Sequence, residues 1–393
     1  MPSTGDPSAA APVGSAPSLA DVLPSVARSL GVAWGTPRAG GDPAASDGFA
    51  FPPTRRAVVV LIDGLGHDLL VRRAGHAPWL RSRLPGTQRV ASGFPSTTAT
   101  SMGTFGTGLA AGAHGLLGYE VLVPGHDRLL NELSWEDGPD PRLWQPHGTV
   151  FEAVEREGVE VVRIGPAYFD GSGLTTAALR GGRFVAATSL EARVDAALAA
   201  VRAAPRTLVH LYWGELDKVG HVHGCDSWQW GEELEAVDRE LARLAARLPA
   251  DCSLTVTADH GMVDSPHELR LDVAHEPVLA HGVRHVSAEA RAPQLYVEPG
   301  AADDVRAAWA ETLGERALVR SRAEAVAAGW FGAVLPENLP RIGDVVVAMR
   351  GRFAVEDSRR ARSELLALLG LHGSLSDDEV SVPVVHVPSA VVA

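Results

Sequence analysis

Three apolar runs in this chain each end on a residue that can hold a metal ion. Ala57 to Ile62 runs into Asp63. Leu208 to Trp213 is followed by Asp217 and His221. Leu254 to Thr257 leads into Ala258-Asp259-His260-Gly261-Met262. Runs of Val, Leu and Ile with no polar alternation have no solvent face, so they fit strands covered on both sides, as in a mostly parallel sheet flanked by helices. Asp and His are poor core residues and good metal ligands. In open α/β sheets, ligands collect at the carboxyl edge of the strands, where all three runs deliver these side chains. The pattern implies a metal-dependent hydrolase with an α/β fold.

The rest of the chain follows the same alternation up to Met262. Helices are expected at 19–30 (with Pro24 a kink or a stop), 66–73, from Thr98, and at 151–157, 190–203 and 232–248. Strands are expected at 57–62, 159–164, 207–213 and 253–258. Ser189 is a plausible N-cap, and 40–51 reads as a loop. After Met262 the period is lost. Strands at 294–297 and 344–349 and helices at 303–312 and 321–328 suggest a smaller inserted lid subdomain over about 263–355. A final helix is expected at 359–369.

Asp217 and His221 are four apart, so on a helix both face one ion. Asp259 and His260 sit at a strand end and can turn to one ion from two sides. Each feature has a plainer reading. Asp63 before Gly64 fits a turn, and a D-x-x-x-H pair fits a solvated helix face. Together, on three strands, they support each other. The segment from Gly93 to Gly108 is dense in hydroxyls, including Ser96, Thr97, Thr98, Thr100, Ser101, Thr104 and Thr107. Such residues usually cap and pack helices, but a hydroxyl at a helix N-terminus beside a metal becomes a nucleophile.

These motifs resemble the alkaline phosphatase superfamily, and within it the type I phosphodiesterase/nucleotide pyrophosphatase family. Thr107-Gly108 matches that family's Thr-Gly pair, and the residue nine positions earlier, Thr98, matches its nucleophile; Thr97 is the neighbouring alternative. His114-Gly115 matches a following His-Gly. The D-x-x-x-H pair matches Asp217 and His221, the Asp-His pair Asp259 and His260, and the first-strand Asp matches Asp63. A last ligand is expected from a His-Gly near the C-terminus. His372-Gly373 fits, with His281, His267, His275, His285 and His386 as rivals. The resemblance runs from about residue 57 to 373.

The resemblance implies an alkaline phosphatase-like catalytic domain over 19–393. It also implies two divalent metal ions, most simply Zn²⁺. One would be held by Asp217, His221 and His372, the other by Asp63, Asp259 and His260, with Thr98 touching the metals. Ions roughly 4 Å apart clamp the attacking and leaving oxygens of an in-line displacement. Thr98 would attack phosphorus, form a phospho-threonine, and be released by water. Two such ions outweigh three carboxylates by about one charge, enough to attract a phosphate locally.

The expected partner is a small phosphorylated substrate, with a nucleotide among the candidates. The sequence departs from the family where substrate binds. Tyr119 stands where an Asn contacts a phosphate oxygen. Tyr212 matches one aromatic of the base clamp, but Ala99 occupies the other position. Phosphomonoesters and phosphonates therefore stay open as substrates, as does a non-catalytic phospho-ligand binder. No Arg among Arg55, Arg56 and Arg163 is assignable to a monoester. Sulfatases and cofactor-independent phosphoglycerate mutases are excluded, because their signature segments are absent.

Composition bounds the partners. Lys+Arg 35 against Asp+Glu 48 leaves −13, which lacks the basic footprint of a nucleic-acid binder. Cys225 and Cys252 cannot build a disulfide scaffold. Residues 1–18, rich in Pro, Ala, Ser and Gly, read as a disordered arm without the features of a signal peptide. No apolar run approaches the roughly 20 residues that span a bilayer. The expectation is a soluble cytoplasmic protein that does not engage membranes.

Overall fold

The computed structural model describes residues 16–34 and 48–391. The expectations for residues 1–15 and for most of the 40–51 loop lie outside them. The strands come first as β1 (Arg56–Ile62), β2 (Gln88–Ala91), β3 (Glu160–Gly165), β4 (Arg183–Ala186), β5 (Thr207–Trp213) and β6 (Cys252–Thr257). A smaller set follows: β7 (Val283–Val286), β8 (Gln294–Val297), β9 (Ala317–Ser321) and β10 (Val345–Met349). The chain then closes with β11 (Ser381–Val387).

The main sheet has seven strands in the order β2-β11-β6-β1-β5-β3-β4. From β6 to β4 every pair is parallel. Strand β11 pairs antiparallel with both β6 and β2. The apolar runs explain the centre. β1 is buried at every position after Arg56, and β6 throughout, so both faces of the sheet are covered. Each fully buried Val or Leu contributes roughly 1.5–3 kcal/mol. The fold is therefore the mostly parallel α/β sheet that the runs imply.

The helices that shape the site are α1 (Leu19–Ser29), α2 (Thr98–Thr107), α3 (Leu190–Ala203), α4 (Glu215–His223), α5 (Trp228–Arg247) and α6 (Ala302–Leu313). α1 packs on α2, α3 on β5, and α5 on both α3 and α4. α1 runs through Pro24 without stopping. Ser189 caps α3, its hydroxyl accepting from Ala192 N at 3.1 Å. α5 starts at Trp228 rather than 232, because Ser227 caps it through Trp230 N (3.1 Å) while Trp228 is 66% exposed and breaks the apolar spacing.

β7 to β10 form a separate antiparallel sheet in the order β7-β8-β10-β9. Its hydrophobic cluster is its own: Leu279, Leu295, Trp309, Leu313, Val345 and Val347, with α6 supplying Trp309. The chain leaves the main body at Val263–Asp264 and returns beside it at Gly370–Leu371, where the two segments pair antiparallel. The helix expected at 359–369 is a correction: only Ser363–Leu366 is helical. Partners outside the segment claim its backbone. The Arg270 guanidinium takes the carbonyls of Leu366 and Leu368, and Leu369 N donates to His221 O at 2.6 Å.

Candidate active site

The carboxyl ends of three adjacent strands, β6, β1 and β5, meet in one place. Asp63 N donates to Trp213 O at 2.8 Å, carrying the β1–β5 ladder one residue past the strand and holding Asp63 at the edge. Gly64 then turns with φ +73. A Cβ there would sit 3.1 Å from Asp217 Cα, so only glycine lets this turn lie against α4. Gly64 N donates to Asp259 Oδ1 (3.1 Å), tying the first strand's turn to the third's. Asp259 and His260 are fully buried after β6. On α4, His221 Nε2 lies 3.2 Å from Asp217 Oδ2.

Two groups of possible metal ligands result, Asp217 with His221 and His372, and Asp63 with Asp259 and His260. Within each, the donor atoms lie within 4.8 Å of one another. The three imidazoles share one arrangement. Nδ1 of His221 faces Gly370 O (2.7 Å), that of His372 faces Ser96 O (2.9 Å), and that of His260 faces Gly261 O (3.0 Å). A carbonyl can only accept, so each Nδ1 carries a proton, and Nε2 is the nitrogen that each ring leaves to face a metal. All three Nε2 atoms point at carboxylates: His260 lies 3.4 Å from Asp63 Oδ1, and His372 3.9 Å from Asp217 Oδ1. Among the described residues, Asp63 Oδ1, Asp217 Oδ1 and Asp259 Oδ2 are buried without a hydrogen-bond partner. Buried oxygens of this kind are costly unless a cation completes them. The residues therefore fit two divalent cations, with imidazoles oriented from behind as metal-binding histidines are.

The charges strain against one another. Burial, then the negative charges of Asp259 and Asp217, push the Asp63 carboxyl well above the usual range. Burial also raises Asp259, against the pull of His260. Burial opposes ionisation of Asp217, but the neighbouring His221 prevails and holds it low. His221 is raised to about 9: burial opposes its charge, and Asp217 overcomes that. Burial, with His260 beside it, drives His372 well below its ordinary value. The His260 and His372 rings stack with centroids 3.7 Å apart, so the two ligand groups share a wall.

Thr98 is half-buried at the first turn of α2, and its hydroxyl donates to His260 Nε2 at 3.2 Å. Thr97 is the cap position; it is buried, and its hydroxyl faces Glu289 instead. The loop before α2 is laced to the His372 turn. Ser96 N donates to Gly373 O (3.0 Å), and Ser96 Oγ donates to Ser374 O (2.7 Å). The hydroxyl and the last imidazole are thus held as one unit.

Residues 57–375 match the family model for type I phosphodiesterase/nucleotide pyrophosphatase. The chain belongs to this family. Human ectonucleotide pyrophosphatase/phosphodiesterase family member 7 is 26% identical over 157 residues, 36% of this chain and 32% of that protein. The match therefore spans about a third of that relative. Murine ectonucleotide pyrophosphatase/phosphodiesterase 5 superposes with a TM-score of 0.65 at 20% identity, covering 84% of this chain and 87% of that one. Phosphonoacetate hydrolase from Sinorhizobium meliloti, solved with phosphonoacetate, also gives 0.65 at 20% identity, covering 86% and 92%. These likenesses show that the fold is that of the family.

Against the family's pattern, several positions stand out. Tyr212 directs its hydroxyl to Asp63 Oδ2, and Phe169 lies against its ring at 5.3 Å. It thus braces the site wall, and Phe169 covers part of its ring. Tyr119 is half-buried on the wall of a cleft next to the site. Of the rival imidazoles, His386 stacks on Phe51 and His285 pairs with Asp127, so His372 alone of the candidates joins Asp217 and His221 among the described residues. Arg56 pairs with Asp251 at the opposite end of β1 from Asp63, and Arg163 donates to Gly181 O. Sequence reasoning missed Glu289, a carboxyl only 8% exposed beside Thr97 and Gly373, and the fully buried Arg291–Glu379 pair behind the site. Glu289 and Arg291 come from the stretch with no clean period, and no motif marks them or Glu379.

Proposed function

We propose that this chain is a metal-dependent phosphoric ester hydrolase that works through Thr98 on two divalent ions. The observation that carries the reading is the common arrangement of His221, His260 and His372. Each has its proton on Nδ1 against a carbonyl and its Nε2 facing carboxylates whose buried oxygens lack partners. In this reading Asp217, His221 and His372 hold one ion and Asp63, Asp259 and His260 the other; the mixed Asp/His donor set suits zinc. Such ions polarise phosphoryl oxygens and make a hydroxyl nucleophilic near neutral pH.

The chain's own residues supply the rest. Without an ion, the Thr98 hydroxyl donates to His260 Nε2, which sets its oxygen beside the atom that would hold the ion. Thr98 attacks phosphorus as the bond to the leaving oxygen breaks opposite it. The Thr98–phosphoryl ester is then hydrolysed by water, and the threonine is regenerated. A phosphoryl group on Thr98 would lie at the start of α2, where the backbone amides of a helix N-terminus favour negative charge. In-line displacement puts the leaving group on the side of Asp217, His221 and His372.

A small phosphorylated substrate fits the relatives, one of which is solved with AMP and another with phosphonoacetate. A phosphodiester is the leading substrate. A phosphonate is the second reading, because one structural relative is a phosphonoacetate hydrolase solved with phosphonoacetate. Tyr119 and Tyr212 are proposed to line the substrate side. The β7–β10 sheet is proposed as the core of a lid subdomain over about 263–355. No helix among the described residues is long and apolar enough to cross a membrane, and Cys225 and Cys252 are both free; a cytoplasmic location is proposed with the rest.

The test is Thr98→Ala in zinc-loaded protein, assayed on a phosphodiester, its matching monoester and a phosphonate. Retained zinc with turnover lost on every substrate is expected. Wild-type rates in Thr98→Ala would refute the nucleophile and point to Thr97.

A further inference from the structure

The side of the centre assigned above to the leaving group holds a carboxyl that the reaction does not use. Glu289 sits in the turn between β7 and β8 and is 8% exposed. Its chain is pinned on either side. Ala288 N donates to Glu120 Oε2 (3.1 Å), and Arg291 forms its fully buried pair with Glu379. The carboxyl faces the Thr97 hydroxyl and the Tyr119 amide. It also presses on Gly373, where a Cβ would lie 2.9 Å from Glu289 Cγ. Gly373 has φ +131 and follows the ligand His372, so the main chain can pass this close only as glycine.

No guanidinium or ammonium among the described residues pairs with Glu289, and its Oε2 has no hydrogen-bond partner there. The nearest cationic group, His221, is engaged with Asp217. A carboxyl oxygen buried without a donor is expensive, and Oε2 calls for a hydrogen-bond donor or a cation from outside the chain. The adjoining space has the same bias. Glu289 does not itself line the neighbouring cleft of about 640 Å³, but Tyr119, whose amide faces its carboxyl, and Leu371, next to His372, both do, and the volume is within the size range of small-molecule sites. Six carboxylate residues line it against four arginines. Three of those arginines are engaged, Arg270 with Glu356, Arg360 with His285, and Arg128 with the Asp137 carbonyl; three of the carboxylates are too, Glu356 with Arg270, Asp357 with Arg359, and Glu120 with the Ala288 amide.

We propose that Glu289 and this cleft form the leaving-group subsite, and that they select esters whose leaving alcohol carries an ammonium group. The proposal rests on the Thr98 reading, which sets the leaving-group side. The ammonium meets the Glu289 carboxylate while the body of the leaving group extends along the acid-rich cleft. Tyr212, on the Asp63 side, then borders the part of the substrate that stays on phosphorus.

The experiment compares two methyl phosphodiesters of the same size, one with a 2-aminoethyl and one with a propyl leaving group, on zinc-loaded full-length protein. The readout is the ratio of their kcat/KM values. Intrinsic leaving-group reactivity is common to every variant, so a change in the ratio reports the subsite. E289Q removes the charge. A288K, at an exposed position lining the cleft, supplies a competing cation without touching the buried carboxyl. The expected result is a wild-type ratio favouring the aminoethyl ester that falls about tenfold or more in each variant, the scale of one charge-assisted contact. An unchanged ratio in both variants overturns the proposal. So does an equal loss on both esters in E289Q, which would place Glu289 in the general machinery. Hydrolysis of neither ester by the wild type would overturn the parent reading, whereas brisk hydrolysis with no charge preference overturns only this one.

Discussion

Replacing Arg291 with Met tests whether the smaller sheet holds the candidate site in shape. Arg291 and Glu379 are both 0% exposed in their side chains, and Arg291 Nη2 lies 2.6 Å from Glu379 Oε2. Glu379 also accepts from Ser374 N (3.0 Å), and its own carbonyl accepts from Gly261 N (2.7 Å). One residue therefore fastens the turn after His372 and the turn after His260. Removing one partner of a buried pair costs about 3–5 kcal/mol, because the other charge is left uncompensated. R291M is expected to lose that much in urea unfolding of chelated protein. Adding Glu379→Leu removes the orphaned charge and leaves mainly the Ser374 amide unsatisfied, about 1–3 kcal/mol. The double variant should therefore be more stable than R291M, yet bind zinc more weakly than wild type, because the His372 turn has lost its tether. If R291M unfolds within 1 kcal/mol of wild type, or the double variant is the less stable of the two, the reasoning about this pair is wrong.

Zinc added to chelated protein should raise the unfolding temperature, by about 2.7 kcal/mol of stability per site at 100 times the dissociation constant; a scan unmoved by zinc would remove the two-ion reading. Tyr212→Phe deletes the hydroxyl bound to Asp63 and should weaken zinc binding by about 10- to 100-fold, as lost outer partners of ligands do, an effect that equilibrium zinc titration would detect. Gly261→Ala places a Cβ 2.0 Å from Asp378 O. The backbone there must move, at a cost of about 1–3 kcal/mol, and wild-type stability by calorimetry would show the turn to be looser than described. In metal-free protein His221 is raised to about 9 by Asp217, so its contribution to stability is full below its ordinary value and is lost as pH rises through about 9. Zinc must displace that proton, so uptake at pH 7.5 should release about one proton from this pair; calorimetry in buffers of different ionisation enthalpy counts it.

The central strands were legible because burial on both faces leaves a run of Val, Leu and Ile in the text. Residues 57–62 and 207–213 match β1 and β5 to within a residue. The candidate ligands were legible because Asp and His close behind such runs serve no core purpose. The weakly patterned strands were not. β2 is exposed at three of its four positions, and β11 carries Pro383 in mid-strand. Neither shows the period of a buried element, and each exists because the other pairs with it. Glu289 was invisible for a different reason. A lone Glu in a loop is ordinarily solvated, and only the approach of Gly373 and Tyr119, distant in sequence, buries it.

The place of β11 carries a consequence for synthesis. Of the seven strands of the main sheet it is the last in the chain, yet it fills the slot between β2, formed near residue 90, and β6, formed near residue 255. Until residues 381–387 emerge, the main sheet of a growing chain has a gap flanked by two bare strand edges. Such edges invite pairing with other chains. His372 also arrives late, with the same stretch. A ribosome-bound chain therefore passes through a long interval in which it is most prone to mispair and still lacks one of the two histidines grouped with Asp217. Slowing translation just before residue 370 should lengthen that interval and lower the yield of soluble protein.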